Sequence, residues 1–378
     1  MKHHKYNPNF KFVLNPVEFN KHTDKQLLQY CLGATLYMPA TKDFTRVILD
    51  NMLPGLTSIV LCFEDAIPLD DLYKAEENAM LLLEVLTKEV EYGNLEMEKI
   101  PLVFFRIRSL EQFVNISNQL KPEYAKLLTG FVFPKFSISN GILYLDHLRY
   151  LNEKYGELLY GMPILESEEI AIKETRLNEL LGIKSLLEPY KEIILNVRVG
   201  ATDLSSIFGV RRGMNYSIYD ILPVNDCLSD ILNIFIRYND FVVSAPVWEY
   251  FAANKDIGLE KSFNGNIQHT LLKRTPVVDD VIDGLLREVI MDKANGFVGK
   301  TIIHPSHIKY VNAMQAVVKE EYEDAMQILK VPGGVVKSSY LNKMNEINPH
   351  KCWAVKICLR AQAYGVIESE AEFLKLFL

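Results

Sequence analysis

Cysteine is scarce in this 378-residue chain: there are five, at Cys31, Cys62, Cys227, Cys352 and Cys358, and none forms a C-x-x-C pair. An odd, scattered set excludes a readable zinc knuckle, a thioredoxin-type motif and a disulfide framework. Free thiols suit a reducing compartment, so a cytoplasmic location is expected. No apolar run reaches the ~18–20 residues that cross a bilayer, and no membrane partner is expected. Residues Met1 to Phe10 are polar and lack the apolar core of a secretory leader. His3-His4 by itself decides nothing. Positive charge is not in excess either: 41 Lys and Arg face 48 Asp and Glu, a net charge of −7. That balance provides no basic footprint for nucleic acid. Internal repeats and low-complexity segments are absent. Gly333-Gly334 lacks the Gly-Lys-Ser/Thr of a phosphate loop and reads as a turn.

What the chain does have is apolar residues, 49% of the total, against 24% charged. That proportion allows a large buried core. Short runs rich in β-branched and aromatic residues recur: Ala34–Met38, Ser58–Phe63, Leu102–Ile107, Gly130–Phe133, Leu159–Leu165, Ile193–Val199, Phe241–Ala245 and Lys300–His304. They are almost continuously apolar, as strands of a parallel sheet buried on both faces should be. Amphipathic stretches separate them. Leu72–Val90 carries one apolar stripe. Asp279–Asn295 sets Val281, Ile282, Leu285, Leu286, Val289 and Ile290 on one face, opens acidic and stops at Gly296. Eight β–α alternations predict a (β/α)8 TIM barrel; fewer true strands would predict an open doubly wound sheet.

The expected organisation is an irregular N-terminal arm over 1–30, the barrel over 31–315, and a C-terminal helical extension over 316–378. The extension reads as entirely helical, with helices at Glu320–Lys330, Cys352–Tyr364 and Ser369–Leu378, the last opening on a Ser369-x-x-Glu372 capping box.

Barrel chemistry sits at the C-terminal rim of the strands. The polar residues ending these runs are Glu64 and Asp65, Arg106 and Arg108, Lys135, Glu166, Asp203 and His304. Each has a structural alternative. A carboxylate there can cap the next helix, as Asp203 or Glu166 could, Arg106 can be an ion-pair partner, and Lys135 a solvated rim lysine. His304 and His307 suggest a metal pair, but Pro305 intervenes directly after His304. A gathering at six strand ends argues for a site. Two carboxylates on adjacent strands, with waters and substrate oxygens, describe a Mg²⁺ site, whereas thiolate and imidazole donors for zinc are missing from the set.

Those segments resemble, in order, the superfamily of the citrate lyase β subunit, malyl-CoA lyase and the HpcH/HpaI-type aldolases. Leu36-Tyr37-Met38-Pro39 is similar to its L-F-V-P strand, and Glu64-Asp65-Ala66-Ile67-Pro68 to L-E-D-A-V-P. Phe105-Arg106-Ile107 and Val132-Phe133-Pro134-Lys135 are similar to V-R-I/V-N and L-P-K. Pro163–Ser167 resembles P-I-I-E-T, Gly200–Leu204 resembles G-A-E-D-L, and Gly299–Ile308 follows G-K-x-x-I-H-P-x-Q-I. The likeness spans residues 31–315. The loop Gly209–Gly213 and the segment Asn342–Glu346 resemble a divergent branch found among tellurium-resistance-type bacterial stress genes.

The resemblance implies a Mg²⁺-dependent carbon–carbon lyase or aldolase, or the reverse condensation. Its substrate would be a carboxylate-bearing small molecule, with an acyl-CoA or a phosphorylated compound left open. Glu166 and Asp203 would be the metal ligands. Arg106 would hold the carboxylate or oxyanion of a keto-acid moiety, Glu64 and Asp65 would order metal-bound waters and substrate, and Lys135 would add positive charge. Breaking the C–C bond leaves an enolate, whose charge a metal and an arginine stabilise. Two positions depart from the family pattern. Gly33-Ala34 replaces an Arg-Ser before the first strand, and Cys62 an Asp two residues before Glu64. Loss of that arginine is expected to remove one substrate contact, for which Arg198, Arg211 and Arg212 could substitute. A homo-oligomer is expected, and the C-terminal helices could close the site or build the assembly. Two other readings stay open: a Mg²⁺-dependent enzyme of phosphorylated ligands using Arg211 and Arg212, and a catalytically retired barrel acting as an assembly partner.

Overall fold

A computed structural model describes residues 1–251, 278 and 280–377. All eight apolar runs become parallel strands: β1 Ala34–Pro39, β2 Ser58–Cys62, β3 Leu102–Arg106, β4 Leu128–Phe133, β5 Tyr160–Leu165, β6 Val197–Val199, β7 Val243–Ser244 and β8 Lys300–Ile302. They lie side by side in the order β7-β6-β5-β4-β3-β2-β1-β8. A bridge between Ala245 and Lys300 joins the two ends, so the sheet closes into the expected (β/α)8 barrel. β2, β4 and β5 are buried along their whole length, which is why their sequences are largely apolar on both faces, and β6 is equally buried but carries Arg198 at its centre. Phe104, Phe105, Phe131 and Phe133 are fully enclosed. Each such ring contributes roughly 1.5–3 kcal/mol by leaving water.

Surrounding helices follow the sequence logic. Leu72–Glu91 buries Ala75, Ala79, Leu82, Leu83 and Leu86, one stripe at i, i+4, i+7, i+8 and i+11. Ile138–Tyr155 starts on a Ser137/Asn140 capping box and stops at Gly156, whose φ of 62° only glycine adopts without strain. Asp280–Ala294 buries Ile282, Leu285, Leu286, Val289 and Ile290 and is followed by Gly296 at φ 96°. Asp279, read as part of this helix, and Leu378, read as the end of the last, lie outside the described residues.

The segment after residue 315 is not entirely helical. Helices Lys319–Lys330, Ile347–Tyr364 and Glu372–Phe377 are present, but short strands interrupt them: β9 Val317–Val318, β10 Val335–Lys337, β11 Met344–Glu346 and β12 Val366–Ile367. β10 and β11 form an antiparallel pair, and β12 pairs with β9 in parallel. Strands of two or three residues are too short to show a period-2 pattern, so the sequence hid them. The Ser369/Glu372 capping box is also absent in the expected form. Glu372 is the first residue of its helix, and its N–H donates to the Ser369 carbonyl, 3.0 Å.

The extension sits at the N-terminal end of the barrel strands, away from the rim. Tyr364 stacks on His3 with ring centroids 4.2 Å apart and donates to the Tyr30 carbonyl, 2.7 Å. The N-terminal arm pairs there as well, with Val13 N–H donating to Val366 O and Val366 N–H to Leu14 O. The extension therefore does not close the site. Among the described residues no helix is long and apolar enough to cross a membrane.

Candidate active site

Sheet register decides which rim residues meet. Cys62 pairs with Arg106 and Arg106 with Val132, so the ends of β2, β3 and β4 are level. Glu64 follows β2 and is buried. The Arg106 guanidinium and the Lys135 ammonium both donate to its carboxylate, one to each oxygen. Lys135 also lies 3.3 Å from Asp65 Oδ2 and 3.7 Å from Asp203 Oδ1, and Arg106 lies 3.6 Å from Asp65. Arg108 stays out of this cluster. It donates to the carbonyls of Phe63 at 2.9 Å, Glu64 at 3.0 Å and Ile67 at 2.6 Å, fastening the loop that carries Glu64 and Asp65.

Lys135 adopts φ 48°, a left-handed conformation rare for a residue with a side chain. In that geometry its N–H donates to Glu166 Oε1, 3.0 Å, while its ammonium reaches back to Glu64. Glu166 is therefore not the cap of the helix that follows. It is 3% exposed, and burial, with the Asp203 charge adding to it, pushes its carboxyl up to about 7 against the pull of Arg106 and Lys135.

On the neighbouring strand Leu165 pairs with Val199, which brings Gly200 beside Glu166. A Cβ at Gly200 would fall 1.7 Å from Glu166 Oε2, so the carboxylate occupies space that only glycine leaves open. Gly200 is the N-cap of helix Ala201–Ile207, and Asp203 lies in its first turn, where the helix dipole favours a carboxylate.

Glu166, Asp203, Asp65 and Arg106 line one cavity of about 440 Å³, together with Tyr37, Met38, Cys62, Arg198, Thr301 and other rim residues. Among the described residues no group of three or more His, Cys, Asp or Glu gathers as a metal cage. Two oxygen donors, one pushed toward its protonated form by burial and further by the charge of the other, are what a hard divalent cation taking substrate oxygens and water would complete. The residues fit Mg²⁺.

Not every expected site residue arrives at the cavity. Arg212 is buried elsewhere: its guanidinium donates to Glu288, Glu249 and the Val247 carbonyl and lies 4.6 Å from the Trp248 ring. Glu288 in turn accepts from Lys300 at 2.9 Å, and Lys300 reaches Asp292 at 2.8 Å. With both Nη nitrogens engaged in this cluster, Arg212 is a fastener of the 209–213 loop. Arg211 is exposed and does not line the cavity. His304 stacks on Phe251, 4.4 Å between centroids, and pairs with Ser306 at 2.7 Å.

Gly33 also corrects an expectation. It precedes β1 at the end opposite Tyr37, Met38 and Pro39, and a side chain there would meet Asn312 and His3. An arginine at 33 would point away from the cavity, so its absence removes no contact there. Arg198 does line the cavity, bonded to Thr301, and a charged residue in the middle of the apolar run Ile193–Val199 is the sequence signal that marks it.

Barrel and rim together have the make-up of a carbon–carbon bond lyase. The chain belongs to the C-C_Bond_Lyase family of the TIM-barrel fold, whose model matches residues 26–366. No curated protein matches it by sequence. Among solved structures, CitE from Mycobacterium tuberculosis in complex with magnesium, acetoacetate and coenzyme A is 15% identical, with a TM-score of 0.50 over 88% of this chain and 99% of that one. Haloferax volcanii malate synthase, in a magnesium/glyoxylate complex, is 11% identical with a TM-score of 0.50 over 74% of each chain. At these identities the likeness is one of fold.

Proposed function

We propose that this lyase cleaves, or in reverse forms, the C–C bond of a carboxylate-bearing hydroxy-acyl or keto-acid substrate, with Mg²⁺ held by Glu166 and Asp203. One observation carries this reading: two carboxylates from adjacent strand ends face a single cavity beside a cation cluster, and one of them is pushed up to about 7. When bound, Mg²⁺ supplies Lewis-acid stabilisation of negative charge developing on a substrate oxygen. The chain's own residues do the rest. Arg106, on a buried strand end and held by Glu64, presents a fixed fork to a carboxylate or enolate oxygen. Glu64 pins Arg106 and Lys135 together, so neither must reorganise as charge develops. Asp65, 60% exposed, faces the open rim, where it can order water or substrate hydroxyls.

The magnesium and carboxylate or CoA ligands named for the two fold neighbours are compatible with this assignment. A CoA-linked acyl half entering from the open rim falls within it. The loop Gly209–Gly213 and the segment Asn342–Glu346 support membership of the divergent stress-gene branch. The described cysteines are all free thiols, which supports a cytoplasmic site of action, and we expect the barrel to assemble as a homo-oligomer.

Calorimetric titration of Mg²⁺ with and without pyruvate, glyoxylate or oxaloacetate tests the reading. Metal affinity should rise when a 2-keto acid is present and vanish in Asp203→Asn. Failure of the wild type to bind Mg²⁺ under either condition would return the chain to the retired-barrel reading.

A further inference from the structure

The cations around the cavity are not equivalent. Arg106 is matched by Glu64 and Asp65, and Lys135 by Glu64, Asp65 and Asp203. Arg198 is not matched. It lies at the centre of β6, in register with Ile164 and Ser244, and is 1% exposed. Its Nη2 donates to Thr301 Oγ1 at 2.6 Å, while Nε and Nη1 have no hydrogen-bond partner among the described residues. No carboxylate among those residues comes within ion-pairing distance of it. Its guanidinium carbon stands 5.3 Å from the Tyr37 ring centroid, and the buried Tyr37 hydroxyl interacts with the guanidinium without completing a well-formed hydrogen bond to any described residue.

A buried guanidinium with no carboxylate partner among the described residues, and only the Tyr37 hydroxyl beside its remaining donors, is costly. The cost falls when an anion arrives. Arg198, Tyr37 and Thr301 all line the cavity that holds Glu166 and Asp203. Arg198 sits deeper along the barrel than Glu166 and Gly200, level with Ile164, and reaches Thr301 of β8 and the Tyr37 ring of β1. A cavity of about 440 Å³ accommodates a small acid spanning both levels.

We infer that Arg198, with the Tyr37 hydroxyl beside it, receives a second anionic group of the substrate, so that the keto-acid half is a diacid such as oxaloacetate or 2-oxoglutarate rather than a monoacid such as glyoxylate. The inference rests on the reading that Glu166 and Asp203 hold the metal and Arg106 the first carboxylate. It makes Arg198 a specificity-determining residue supplied by β6.

The experiment is calorimetric titration, at saturating Mg²⁺, of pyruvate, fresh oxaloacetate and 2-oxoglutarate into the full chain, as wild type, Arg198→Met and Arg198→Lys. Wild type should bind at least one diacid ten times tighter than pyruvate or more. Arg198→Met should bring that ratio within twofold by weakening the diacid while pyruvate still binds. Arg198→Lys, which keeps the charge but not the fork, should fall between them. Diacids no tighter than pyruvate in wild type, or a preference that survives in Arg198→Met, would overturn the inference and leave the metal site standing. If the Met variant does not fold, an undiminished diacid preference in Arg198→Lys overturns it. Absence of Mg²⁺-dependent binding by all three acids in wild type would remove the metal-site reading, and this inference with it.

Discussion

Glu166 and Gly200 fit together as carboxylate and vacancy: the Glu166 Oε2 oxygen lies where a Cβ at position 200 would be, 1.7 Å from its ideal location. Parallel register produces this arrangement, since Leu165 pairs with Val199 and the next residues on each strand are thrown against one another. The backbone of Gly200, at φ −98°, is open to any residue, so what demands glycine is space alone. Gly200→Ala should displace the Glu166 carboxylate and lower Mg²⁺ affinity at least tenfold, about 1.4 kcal/mol. Overpacking should cost roughly 1–3 kcal/mol of stability. Titration calorimetry beside a thermal melt separates the two effects, and unchanged metal affinity in a folded variant would remove Glu166 from the ligand set.

Arg106 is a second point of leverage. Its Nη2 is held by Glu64 and stands 3.6 Å from Asp65, while Nε has no partner among the described residues and is left for a substrate oxygen. Lysine would keep the charge and lose the planar donors. Arg106→Lys is expected to weaken 2-keto acid binding 10- to 100-fold, about 1.4–2.8 kcal/mol, while Mg²⁺ alone still binds. A variant that binds pyruvate as wild type does would show that Arg106 is only Glu64's structural counter-ion.

The eight strands were legible because burial on both faces leaves a continuous apolar signature, and the rim residues because a barrel places chemistry at strand ends. The roles of the arginines were less legible. Arg212 meets Glu288 across 76 residues, a pairing that no local pattern announces. Arg198 sits among apolar residues in a short strand, and only the closed barrel shows that it finds no carboxylate among the described residues, with Tyr37 beside its remaining donors. A motif carries no sense of direction along its strand, and Gly33 lies at the end of β1 away from the cavity.

The buried cluster around Glu288 yields a stability prediction. Glu288 accepts from both Arg212 and Lys300 and from the Ile218 N–H at 2.8 Å, and those cations hold its carboxyl below the usual range despite full burial. Glu288→Ala leaves buried Lys300 with Asp292 alone and Arg212 with Glu249 alone, and should cost about 3–5 kcal/mol. Chemical unfolding reads this directly. Arg211→Ala, at an exposed position outside the cavity, should leave both stability and keto-acid affinity within twofold of wild type. A large loss of keto-acid affinity on that change would restore Arg211 to the site.

The junction of arm and extension should respond to pH. His4 is buried, with Nε2 donating to the Tyr364 carbonyl at 2.9 Å and Nδ1 facing the Tyr6 hydroxyl at 2.8 Å, a pattern that a neutral ring satisfies. Burial, with the neighbouring His3 adding to it, lowers its pKa to about 3 from an ordinary 6.5. The unfolded chain therefore takes up a proton at His4 that the folded chain refuses. The stability that this ring contributes is complete above about pH 6.5 and is lost progressively as pH falls toward 3. At pH 5 the loss is on the order of 2 kcal/mol. His307, also buried and lowered to about 4, acts in the same direction, so the wild-type curve alone does not isolate His4. The comparison with His4→Phe does: at pH 7.5 the variant should be the less stable protein, since it lacks the bond to Tyr364, and the gap should narrow by about 2 kcal/mol on going to pH 5. Chemical unfolding at the two pH values measures it. A gap that stays constant would mean that His4 titrates alike in both states, and that the arm is not held by a neutral ring.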